Sequence, residues 1–182
     1  MIFTETSLPG SYLIELKVNG DERGWFARTF CKNEFKRIGH DKEWVQMNHS
    51  FTSLAGTARG MHFQKHPHQE IKMVRCISGA IFDVIVDIRK DSPHFLKWFG
   101  AELSAPNKKM MYIPEGFAHG FQTLTENCEL IYHHTAFYEP TAEGGLNIFD
   151  PLIDIKWPRE ITVISNRDQS HEFITENFKG IS

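Results

Sequence analysis

RGMHFQKHPHQEIKMV, residues 59–74, reads as two strand-like runs around a polar turn. It holds three of the chain's ten histidines, His62, His66 and His68, with Glu70 and Lys72 just after. In ARGMHFQ (58–64), alternation puts His62 on the face of Gly60 and Gln64. Glycine at 60 leaves room for something to approach that face. The turn centres on Pro67, and EIKMVRCI (70–77) resumes the strand pattern. The stretch could be a metal cage, a proton-transfer site or a plain polar loop.

Outward from it the pattern repeats. SYLIELKV (11–18), GWFARTF (24–30), WVQMNHSFT (44–52), AIFDVIVDIR (80–89), LKWFGAEL (96–103), KKMMYIP (108–114), GFQTL (120–124) and CELIYHHTAFY (128–138) are strand-like. Turn signals such as SLAGT, SGA, KDSPH, APNK and PEGFAHG separate them. Runs at roughly ten-residue spacing predict an all-β antiparallel sandwich or barrel. Short helices are expected at 31–39 and near 168–178, outside the sheets. In AIFDVIVDIR, Phe82, Val84, Val86 and Ile88 share an apolar face. The other face mixes Ile81 and Ile85 with Asp83, Asp87 and Arg89, as where a sheet faces a ligand cavity or a subunit contact. The expected organisation is one domain over 1–182, with an N-terminal arm over about 1–20 and an irregular tail over about 139–182.

With 182 residues the chain can bury a full core without covalent staples. The net charge of −3, with no basic stripe, argues against nucleic acid as a partner. No apolar run is long enough to span a bilayer, and MIFTETSLPG lacks the features of a signal peptide. Cys31, Cys76 and Cys128 are odd in number and far apart, which fits a reducing, cytoplasmic compartment.

Gly60, His66, His68, position 72 and Gly79 match the spacing G-x5-H-x-H-x3-E-x6-G of the first cupin motif. Pro114, Gly116 and His119 match the P-x-G-x2-H of the second. The fold implied is a cupin-type antiparallel jelly roll with short peripheral helices. The motif's glutamate is replaced by Lys72. An ammonium cannot ligate a cation and repels one. We therefore expect no metal, and read His66 and His68 as turn residues. Proton transfer is the competing chemistry: a histidine base at His62, a cation at Lys72 and a phenol at Tyr132, all on neighbouring strands. A nearby Lys72 would lower the pKa of the Tyr132 phenol.

DERGWF (21–26), QMNHSFT (46–52), RGMHFQ (59–64), DVIVDIRKDSP (83–93), YIPEGFAHGF (112–121) and ISNRD (164–168) occur in this order, with Glu143, DP at 150–151 and WP at 157–158 between the last two. Over about residues 10–168 the chain resembles the dTDP-4-dehydrorhamnose 3,5-epimerase family. That resemblance implies an isomerase without cofactors. It would invert C3 and/or C5 of a nucleotide-diphospho-4-keto-6-deoxy sugar, foremost dTDP-4-dehydro-6-deoxyglucose. By the same resemblance His62 is the base, Asp168 its orienting carboxylate, Lys72 the enolate-holding cation and Tyr132 the acid on the opposite sugar face. Arg23, Phe26, Gln46, Asn48, Arg59, His119, Glu143 and Arg167 fall at substrate-binding positions. A cytoplasmic homodimer, with an N-terminal segment passing to the partner, is implied as well.

Two departures bear on specificity. Arg28 stands where many family members carry Glu, near the base-recognition region, and Tyr132-His133-His134 stands where many read Tyr-Lys. They leave open a CDP-sugar substrate and inversion at one centre only. By alternation His134 shares the face of Tyr132 and is the second candidate acid. A sugar-binding cupin without catalysis is the reading from another class.

Overall fold

The alternating runs become strands of two antiparallel sheets and a separate hairpin in the computed structural model, which describes residues 1–182. The strands are β1 (Ile2–Glu5), β2 (Tyr12–Glu15), β3 (Val18–Asp21), β4 (Gly24–Ala27), β5 (Gln46–Thr52), β6 (Ala58–Gln64), β7 (Lys72–Ser78), β8 (Ala80–Asp87), β9 (Trp98–Ser104), β10 (Lys109–Ile113), β11 (Phe117–Thr123), β12 (Cys128–His134) and β13 (Glu143–Gly145). One sheet has the order β1-β2-β10-β7-β12-β5, the other β13-β6-β11-β8-β9, and β3-β4 stands apart. Helices are one turn long and peripheral: α1 (Lys32–Phe35), continued by a 3₁₀ turn to Ile38, and α2 (Asn166–Gln169). This is the cupin-type jelly roll.

Between the sheets lies a core built from both. Val74, Cys76, Met111, Ile113 and Leu130 come from one, and Ile81, Ile85, Leu103, Phe117 and Phe121 from the other. The alternation of β8 holds: Val84, Val86 and Ile88 point the other way, into a second core. Trp157, Ile161, Ile164, Ile174 and Phe178 of the C-terminal tail cover that core. Burying one such aliphatic side chain stabilises by roughly 1.5–3 kcal/mol, so the tail, though irregular, is fastened to the sheet.

Two features differ from expectation. Residues 2–5 and 12–15 do not form an arm; they are β1 and β2 at the edge of the larger sheet. The segment that stands away is the β3–β4 hairpin, with Trp25 and Phe26 exposed. His62 and Lys72 are not on neighbouring strands. The turn at 65–71 carries the chain from the smaller sheet to the larger, so β6 and β7 face each other across the jelly roll. The room expected at Gly60 is present and is filled by backbone. A Cβ there would lie 2.5 Å from the Gly120 Cα of β11, and φ is +127°. It is the β11 backbone that makes the close approach.

Candidate active site

A cavity of about 680 Å³ is lined by strands of both sheets and by the C-terminal tail, a size suited to a small organic ligand. His62 enters it from β6, Lys72 from β7, and Tyr132 and His134 from β12. Gln46, Asn48 and Ser50 come from β5, at alternate positions of one strand and hence on one face.

Asp168 reaches His62 through the tail. Residues 162–163 run beside the start of β6, where the Ala58 N–H donates to the Val163 carbonyl at 2.8 Å. Ser165 then caps α2, its Oγ accepting from the Asp168 N–H at 3.1 Å. The Asp168 carboxylate takes the Gly60 N–H at 3.2 Å and faces His62 Nε2 at 2.7 Å. Burial opposes ionisation of this carboxyl, but the bonds from His62, Gly60 and Ser165 outweigh it and hold the pKa near about 2. An ionised carboxylate only accepts, so Nε2 carries a proton and the lone pair of His62 lies on Nδ1. Arg167 Nη2, 3.1 Å from the same Nε2, is then a neighbouring donor rather than a partner. Its guanidinium is held by Glu143 at 2.9 Å, which also accepts from the Tyr138 hydroxyl at 3.0 Å.

The facing wall belongs to the larger sheet. The Tyr132 hydroxyl is 3.0 Å from Ser50 Oγ. Burial pushes its pKa up to about 12, against the lowering bond from Ser50 and the charge of Arg59. The expectation that Lys72 lowers it is therefore overturned, because desolvation of the phenolate dominates. Lys72 pairs instead with Glu70, at 3.3 Å. Deeper, His119 Nε2 is 2.7 Å from Asp83 Oδ1. Burial, with the charges of Lys72 and His62, keeps this imidazole's pKa below the usual histidine range despite Asp83.

His62, Asp168, Lys72, Tyr132, Gln46, Asn48, Arg59, His119, Glu143 and Arg167 all line the one cavity. Arg59, on its rim, has no carboxylate partner; its Nε bonds only Thr52 Oγ1, at 3.2 Å. Arg23 and Phe26 do not reach the cavity of their own chain: they sit on the detached hairpin, where Arg23 pairs with Asp21. His66 and His68 lie in the turn, away from the cavity. Ser50 was legible from the alternation of QMNHSFT; Tyr138 falls on the Tyr132 face of the run read over 128–138, although the strand itself stops at His134.

His62, Asp168 and His171 lie close enough to share a cation. The Arg167 guanidinium, 3.6 Å from Asp168, disfavours one there, as Lys72 does at the cupin position.

Fold and site together define a cupin-type jelly roll whose cavity gathers titratable side chains from both sheets and the tail. The family model for dTDP-4-dehydrorhamnose 3,5-epimerase matches residues 5–176. A Shigella flexneri dTDP-4-dehydrorhamnose 3,5-epimerase is 45% identical over 90% of this chain and 91% of its own. The crystal structure of the Bacillus anthracis epimerase with TDP and PPi bound has a TM-score of 0.92 at 37% identity, covering 95% of this chain and 99% of that one. That of a Legionella pneumophila 3,5-epimerase with dTDP-4-keto-L-rhamnose has a TM-score of 0.90 at 36% identity, covering 94% and 92%. The chain belongs to the dTDP-4-dehydrorhamnose 3,5-epimerase family.

Proposed function

We propose that this protein is an isomerase inverting C3 and C5 of dTDP-4-dehydro-6-deoxyglucose. The C4 ketone acidifies the hydrogens on C3 and C5. His62, oriented by Asp168, removes one through Nδ1. Lys72 holds the oxygen of the resulting enolate, and Tyr132 returns a proton from the other side of the ring. No net electrons move, so the chemistry needs no redox cofactor. The observation that carries this reading is the opposition of the two walls. The base and its carboxylate belong to the smaller sheet and the tail, the cation and phenol to the larger sheet. Inversion needs removal and delivery on different faces of one carbon.

Arg59 and Arg167 would take the diphosphate, since guanidinium pairs well with phosphate oxygens. Gln46, Asn48, His119 and Glu143 would seat the rest of the ligand. Arg23 and Phe26 enter only if a second copy contributes its hairpin. We therefore infer a homodimer, supported by the exposed Trp25 and Phe26 of the hairpin and the exposed Met47 and Phe51 of edge strand β5. Mixing Arg23→Glu chains with His62→Ala chains should restore activity to the pool if the hairpin crosses over. The cytoplasm is the compartment we infer, supported by three free cysteines. No helix is long and apolar enough to cross a membrane.

The experiment is incubation with dTDP- and CDP-4-keto-6-deoxyglucose in deuterated water, followed by NMR. Deuterium at both C3 and C5 of the dTDP sugar, with inversion, is expected. Deuterium at one carbon only would make the enzyme a single-centre epimerase. Preference for the CDP sugar would change the nucleotide, and no exchange would leave a sugar-binding cupin.

A further inference from the structure

Glu70 has no part in the chemistry just described, yet it is enclosed with two cavity residues. The side chains of Glu70, Lys72 and His134 are 12%, 13% and 10% exposed. His134 Nδ1 lies 2.6 Å from Glu70 Oε2, and Lys72 Nζ lies 3.3 Å from Oε1. The two oxygens of one carboxylate thus serve two neighbours. Burial alone would raise the Glu70 pKa, but the Lys72 ammonium and the His134 bond hold it below the usual range, so the group is ionised and can only accept.

The far side of His134 continues the chain. The Tyr138 backbone N–H can only donate, and it meets Gln46 Oε1 at 3.1 Å. That fixes the Gln46 amide, whose Nε2 donates to Asn48 Oδ1 at 3.3 Å. Asn48 must then turn its Nδ2 to His134 Nε2, 3.3 Å away, which accepts. The His134 proton is left on Nδ1, facing Glu70. Every bond in this series runs toward the Glu70 carboxylate, and Lys72 reaches the same carboxylate from the other side. His134 also stacks on Tyr132, with ring centroids 6.2 Å apart and planes at 24°.

We propose that Glu70, acting with His134, is a positioning residue of this site: it fixes the Lys72 ammonium in the cavity wall and ties it to Asn48 and Gln46. The inference rests on the reading of Lys72 as the cation that holds the enolate. Lys72 has no other carboxylate within ion-pairing distance. Without Glu70 its flexible four-carbon stem would lose its one ion pair. The ammonium would also sit enclosed without a counter-charge. Either change weakens an interaction needed more in the transition state than in the ground state, so it falls on kcat rather than KM.

The test is steady-state kinetics on dTDP-4-keto-6-deoxyglucose, with C3 deuterium exchange, for Glu70→Gln, His134→Gln, Lys72→Met and the doubles Glu70→Gln/Lys72→Met and His134→Gln/Lys72→Met. In Glu70→Gln, kcat should fall about tenfold with KM within about twofold, and in His134→Gln it should fall less. Each double should lose no more than Lys72→Met alone, because the pair acts through that lysine. Measuring two partners keeps the test standing if one variant does not fold. Wild-type kcat in folded Glu70→Gln, or losses that multiply in the doubles, would overturn the inference. A wild-type chain without exchange at C3, or Lys72→Met with wild-type kcat, would overturn the reading of the site and this inference with it.

Discussion

His62 Nε2 lies 2.7 Å from Asp168 Oδ1 although 106 residues separate them. The tail makes the meeting: it covers the outer core, runs beside the start of β6 and ends this path in α2. A consequence is a pH-dependent share of stability. The folded-state pKa of Asp168, near about 2, is below the carboxylate's unfolded value of about 3.9. The contribution is therefore fully present above the unfolded value and is lost as pH falls through the folded one. Its size is about 2 kcal/mol. Urea denaturation of wild type and Asp168→Asn should show a gap at pH 6 that closes between about pH 4 and about pH 2. A gap that stays constant would remove Asp168 from the account of acid sensitivity.

Tyr132→Phe should keep His62-dependent deuterium exchange and lose inversion, most severely at C5. The ring still packs, so stability should change little. Both ring nitrogens of His134, the second candidate acid, are engaged, Nε2 by Asn48 and Nδ1 by Glu70, which favours Tyr132 as the proposed acid. Wild-type inversion at both carbons in Tyr132→Phe would return the role to another group.

Strands such as β6, β7 and β8 were legible because they bury apolar side chains between turn signals, whereas β5 and the β3–β4 hairpin are mostly exposed. Ala58–Gln64 was read to the residue. Strands β1 and β13, with four and three residues, carry too little pattern to be seen. Alternation also gives a face without a partner, which is why His62 and Lys72 were expected side by side and are found on opposite sheets. The pairing of His62 with Asp168 had no local signal at all and came only through resemblance to a family. The Glu70–His134 contact lay beyond both, since Glu70 precedes β7 and meets His134 only because β7 and β12 are neighbours.

Gly60→Ala should destabilise the fold by at least about 2 kcal/mol, because the new Cβ would press on the β11 backbone at positive φ. Urea midpoints measure it. A variant as stable as wild type would mean that β6 and β11 can separate at this point.

Activity should survive exhaustive chelation. Lys72 occupies the carboxylate position of the cupin cage, and Arg167 stands beside Asp168 and His62. Activity lost with EDTA and restored by one specific divalent ion would contradict this.

The most direct measurement is C3 exchange in His62→Ala. The substrate is dTDP-4-keto-6-deoxyglucose in deuterated water, with circular dichroism to establish the fold. General-base catalysis contributes roughly 10²–10⁴-fold, so exchange at C3 should fall by at least about a hundredfold in a folded variant, and less in Asp168→Ala. Exchange at the wild-type rate in folded His62→Ala would contradict the account, because the proton would then leave by a route that does not pass through His62.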